Sequence, residues 1–255
     1  MKKIIVISFF SLIALEGFAQ GPVAPTPPTL PSLTVTVGGT PTATQLSATL
    51  IILIIITVIT LAPSLLILMT SFTRLIVVFS LLRSALGTQQ APPNQILVGL
   101  ALFMTFFIMQ PTFTKAYDNA LVPYMDGKIG YQEAIKTGLA PFREFMYSEI
   151  VLHKDQSSIL VFTSYRNMPA PKSLNDVPTS ILIPAFVISE LQIAFKIGVL
   201  LYIPFILIDM IVASILLSLG MIMIPPVMIS LPFKLLLFVL VNGWTLVISG
   251  LLHSF

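Results

Sequence analysis

Glu190, Lys196, Asp209 and Lys234 have the most chemistry to offer in this sequence, because each is embedded in a long apolar run. An isolated ionised group in such surroundings is costly, so each needs a partner on another segment, on another subunit or in water. None of Glu190, Lys196 and Asp209 lies three or four residues from another, so no two of them pair along one helix face. Lys234, in the last apolar segment, is the intrachain candidate for Asp209. A buried pair that only fixes helix register is an equally good reading of that match. Glu190 and Asp209 are also the only embedded acids that aspartyl proteolysis within a membrane could use, and they match no such motif. Neither an H-E-x-x-H nor a G-x-S-x-G is present, and there is no cysteine to serve as nucleophile or metal ligand. The two histidines, His153 and His253, lie far apart and are read as incidental. No catalytic centre, metal site or cofactor is expected.

The elements that must position these residues are membrane helices. Of the 255 residues, 56% are apolar and 9% charged, and the mean hydropathy is +1.00. That composition belongs to a polytopic membrane protein. A net charge of +3 with the basic residues scattered gives no nucleic-acid footprint.

Residues 1–19 read as a signal peptide: Lys2-Lys3, then an apolar core from Ile4 to Leu15, then the small residues Gly17 and Ala19 around Phe18. Residues 20–45 form a leader rich in Pro and Thr that buries almost nothing. Residues 46–111 are expected to form a first helical hairpin. Its first span runs from Leu46 to Phe72 and its second from Asn94 to Met109, ending near Pro111. Arg74 and Arg83 follow the first span without acidic neighbours and are placed on the cytoplasmic side by the positive-inside rule. An external N-terminus after signal cleavage leads to the same orientation. Residues 112–178 are the only substantial polar region, with balanced charge and amphipathic stretches such as Pro141 to Leu152, and read as a small helical periplasmic module. Residues 179–255 form a second hairpin, in which Pro184 and Pro204 can bend a stretch too long for one straight span. The fold class is all-α: membrane helical hairpins with kinked long helices and that module.

Within the second hairpin, residues 220–226 make a connection that is itself apolar: Gly220, Met221, Ile222, Met223, Ile224 and Pro225-Pro226. The prolines stop a helix. Broken backbone at membrane depth is tolerated where it is buried in protein or lines a cavity. The two flexible methionines suit a soft seal better than a binding pocket, although an ordinary buried turn fits the residues equally well.

The run LMTSFTRLIVVFSLLRSALGTQQAPPNQILVGLALFMTFFIMQP (Leu68 to Pro111) resembles the FliP family of flagellar export-gate proteins. So do PFREFM (Pro141 to Met146), PAFVISELQIAFKIG (Pro184 to Gly198) and the stretch from Gly220 to Trp244. The likeness covers nearly everything after the leader. It implies a non-enzymatic, pore-forming core subunit of the flagellar type III secretion export gate, in the bacterial inner membrane at the flagellar basal body. The partners implied are further copies in a pentamer, FliQ-like, FliR-like and FlhB-like subunits, the membrane, and the unfolded polypeptides being exported. It also implies kinked hairpins partly lifted out of the bilayer plane on assembly. The gasket that closes the resting pore then falls on Met221, Ile222, Met223 and Ile224. The family often carries consecutive methionines at the gasket and an acid where this chain has Asn242, so neither feature is essential here. Without the resemblance, broken apolar segments with embedded charges would favour a small-solute transporter or channel subunit. A transporter should show internal repeats, and none is convincing.

Overall fold

Every element among the described residues is helical, because each apolar run keeps its backbone polar groups within itself. The structure, a computed structural model, describes residues 43–255 apart from 89, 90, 172 and 222. The signal peptide and almost all of the leader therefore lie outside the described residues, as does Ile222. The chain divides into a unit of residues 1–51 and a unit of residues 52–255. Of the first, only the helical residues 43–51 are described; the packing and the sites below belong to the second.

Helix α1 (Ala43–Leu68) ends at a break over Met69 to Ser71, and α2 (Phe72–Ala85) follows. Helix α3 (Asn94–Ala116) returns alongside α2 and continues through a π-helical turn at Tyr117–Leu121 into the short α4 (Val122–Met125). Pro111 therefore sits inside a helix, and the boundary expected at residues 111 and 112 falls mid-element. The signal that misled is real but weak: proline removes one backbone bond without ending a helix that tertiary packing holds.

Helices α5 (Tyr131–Leu152) and α6 (Ser157–Tyr165) occupy the polar region, and α7 (Thr179–Ser218) is one continuous helix of 40 residues through Pro184 and Pro204. At 1.5 Å per residue it is about 60 Å long, roughly twice a bilayer core. The excess is used by the module. Ile181, Leu182, Ala185 and Phe186 of α7 pack with Phe142, Met146, Ile150 and Ile159 of α5 and α6, and with Met69 and Met109. The polar region thus shares its core with both hairpins. Arg143, within PFREFM, fastens it by donating to the Val177 carbonyl at 2.7 Å, the Leu174 carbonyl at 3.2 Å and the Thr179 hydroxyl.

A second core joins α2, α3 and α7 to α8 (Pro226–Leu240) and α9 (Gly243–Leu252) through Leu75, Phe79, Leu82, Leu97, Phe205 and Phe238. Gly198 permits the close approach of α2 and α7, since a Cβ there would lie 2.3 Å from Leu81 Cδ1. Two of these elements are long and apolar enough to cross a membrane, Asn94–Met125 and Thr179–Ser218. The stretch expected as a span from Val227 to Leu252 is a bent pair, α8 and α9 meeting at 63°, which together are long and apolar enough to count as a third, broken span. Asn242 makes the break by adopting a left-handed conformation (φ 50°), which asparagine tolerates better than most residues.

Candidate functional site

The loop that follows α7 is built by a helix stop. Gly220, at φ 72°, takes the left-handed conformation that closes the helix. The Gly220 and Met221 amides turn back to the Leu217 and Leu216 carbonyls, both at 3.0 Å, the paired bonds of a Schellman motif. Pro225 and Pro226 then open α8, Pro226 at the position where a missing N–H costs nothing. Between these two stops Met223 is 96% exposed and Met221 is also exposed, while Ile224 is half-buried. Neither methionine contributes to the cores described above, so the loop projects apolar side chains that the rest of the chain does not cover.

The embedded charges are resolved one by one. Lys234 Nζ lies 2.7 Å from Asp209 Oδ2, so α7 and α8 are tied by the expected pair. The lysine also donates to the Ala85 carbonyl at 3.3 Å, at the C-terminal end of α2, where a cation is favoured. Ser230, one turn before Lys234, donates its hydroxyl to Asp209 Oδ1. Neutralising either partner, as Asp209→Asn or Lys234→Met, strands the other in a largely apolar setting. In a double-mutant cycle read by thermal unfolding in mild detergent, the coupling energy is expected to reach about 1–3 kcal/mol. Additive single effects would show that the two have other partners.

Glu190 finds Arg74, 116 residues earlier, in a bidentate pair: Nε to Oε2 at 2.8 Å and Nη2 to Oε1 at 2.6 Å. Both side chains are completely buried. Nη2 also reaches Glu149 Oε2 at 2.8 Å, and Nη1 donates to the Ser254 carbonyl and, at 3.1 Å, to the Ser254 hydroxyl. These contacts use all the donors of the guanidinium, and its carbon stands 3.8 Å from the centre of the Phe255 ring. Arg74 is therefore no solvated flank of a membrane span. Glu149, its partner, belongs to the region expected on the opposite side of the membrane, so the two residues placed on opposite sides are in direct contact. Arg83, two turns further along α2, is half-buried near the end of that helix.

His153, read as incidental, belongs to this cluster. It stands one helical turn after Glu149, with Nε2 3.6 Å from Glu149 Oε2 and 3.1 Å from the Ser254 carbonyl. The carbonyl can only accept, so Nε2 carries the proton. Burial pushes the Glu149 carboxyl up to about 7 against the pull of Arg74. Burial also lowers the His153 imidazole, with Arg74 adding to the effect. Both groups are thus biased toward their neutral forms. Lys196 is exposed and makes no ion pair among the described residues. The i, i+4 spacing of Glu149 and His153 was the one local signal available for this cluster; nothing local pointed to Arg74.

Glu190 and Asp209 lie 19 residues apart on one helix, about 28 Å, and each is engaged by a different cation, so they do not face each other. No group of three or more metal-ligating side chains occurs among the described residues. These features define a class: an α-helical membrane protein whose buried charges join helices and whose exposed loop is apolar. Residues 55–251 match the FliP family. The chain is 52% identical over 211 residues to the flagellar biosynthetic protein FliP of Bacillus subtilis (strain 168), covering 83% of this chain and 94% of that protein. It is 50% identical over 211 residues to FliP of Borreliella burgdorferi, covering 83% of each. Against FliP of Treponema denticola it is 54% identical over 204 residues, or 80% of this chain and 74% of that one. The chain belongs to the FliP family of flagellar biosynthetic proteins, non-enzymatic membrane components of the flagellar export apparatus.

Proposed function

We propose that the protein is a pore-forming core subunit of the flagellar type III export gate, through which unfolded flagellar proteins leave the cytoplasm. The observation that carries this is the loop after α7, whose Met223 is 96% exposed on a chain of the FliP family. Several copies of such a loop around an axis bring apolar, flexible side chains together, which excludes water and ions while yielding to a passing polypeptide. Met221, Ile222, Met223 and Ile224 form the gasket on this proposal.

Large exposed side chains support assembly with other subunits: Phe103, Phe106 and Phe107 on α3, and Val199, Leu200 and Leu207 on α7. The copies form a pentamer and join FliQ-like, FliR-like and FlhB-like subunits in the inner membrane at the flagellar basal body. Residues 1–19 are removed as a signal peptide, which puts the mature N-terminus in the periplasm. Native mass spectrometry of the gently solubilised complex tests both points. A pentameric core whose subunits lack residues 1–19 is expected. Recovery as a lone monomer would sink the assembly, and a full-length subunit mass would sink the cleavage.

A further inference from the structure

One guanidinium balances one carboxylate, and Arg74 faces two. Glu190 is completely buried and the Glu149 side chain is 6% exposed, so with both ionised the cluster would hold an uncompensated negative charge away from water. Among the described residues no second cation pairs with either carboxylate. Lys115, on α3, is engaged by Glu144 at 3.2 Å. Lys196, on α7, is exposed and makes no ion pair among the described residues, its charge acting on His153 and Asp155 from a distance. Asp155, beyond α5, adds another negative charge, stabilised by the hydroxyls of Ser157 and Ser158 at 2.8 and 2.6 Å. Among the described residues, the titratable groups acting on Glu149 are Arg74 and Glu190, with His153 Nε2 standing 3.6 Å from its carboxylate. A surface pocket of about 470 Å³, lined by Tyr147, Ser148, Glu149, Val151, Leu152 and Phe255, lies beside the cluster and has Glu149 in its wall.

We propose that this cluster is a proton-binding site, in which one exchangeable proton held by the Glu149 carboxyl, beside a neutral His153, neutralises the second carboxylate and locks α2, α5, α7 and the 254–255 segment together. The proton enters from solvent through the pocket and returns the same way, with no other bond made or broken. The Glu149 carboxyl, raised from 4.5 to about 7, binds the proton more tightly in the folded protein than in the unfolded chain. The stabilisation is therefore complete below about pH 4.5 and is lost as pH rises through about 7.

Infrared difference spectra of the full-length protein in detergent, titrated between about pH 5 and pH 9, read the site directly. A protonated-carboxyl band should disappear close to neutral pH and be missing from Glu149→Gln, which keeps the size of the side chain and an acceptor for Arg74. The thermal midpoint of the natural protein should fall over the same interval, while that of Glu149→Gln stays level. Glu190→Gln leaves Arg74 a single carboxylate, so the titration midpoint should move down by about one unit, a tenfold weaker hold on the proton. If the natural protein shows no carboxyl band titrating near neutrality, the site does not exist, whatever the variants do. An unchanged band in Glu149→Gln would also overturn the proposal.

Discussion

Arg74→Met is expected to be the most damaging single substitution in this chain. Removing one partner of a buried ion pair typically costs about 3–5 kcal/mol, because the remaining charge has neither water nor a counter-ion. Here two carboxylates would be stranded together, Glu190 and Glu149, both within 2.8 Å of the guanidinium at present. The Ser254 carbonyl and hydroxyl would lose their donor as well. Little folded protein should remain in the membrane fraction, and what is extracted should unfold at a markedly lower temperature. Arg74→Lys keeps the charge but cannot reproduce the planar fork that holds Glu190 in two bonds, so an intermediate loss is expected. Neutralising all three groups, as Arg74→Met with Glu149→Gln and Glu190→Gln, should recover much of the stability, since no charge is then left unpaired. Natural levels of stable Arg74→Met protein would show that the triad contributes nothing to the fold.

Replacing Met221 and Met223 with glycine should make the resting membrane leaky to small ions while leaving the amount of assembled complex largely unchanged. Neither side chain belongs to a core cluster, so truncation removes little packing. Around a shared axis, however, it opens the ring that keeps water out. Leucine at both positions should preserve closure and slow export, because its branched side chain adapts less readily than the thioether. Conductance or dye entry, measured at matched amounts of complex, checks the claim. A tight membrane with the glycine variants, or a loss of complex without a leak, would assign the loop to packing alone.

Local chemistry was sufficient for what lay within one segment or between two adjoining ones. Apolar runs foretold helices, Gly220 and Pro225-Pro226 marked the ends of the exposed loop, and the embedded Asp209 and Lys234 had to find partners and found each other. The long motifs from Leu68 onward carried the family. Tertiary structure alone decided the rest. Arg74 looked like a flank of a membrane span because hydropathy registers a charge after an apolar stretch and cannot see acids 75 and 116 residues away. His153 looked incidental because its partners include Ser254, 101 residues further on. Pro111 looked like a boundary, and the helix runs through it because packing holds what propensity disfavours. The difference is one of range. Helix formation and termination depend on a few neighbouring residues, whereas the partner of a buried charge depends on which helices meet, and that is settled only when the whole chain is packed.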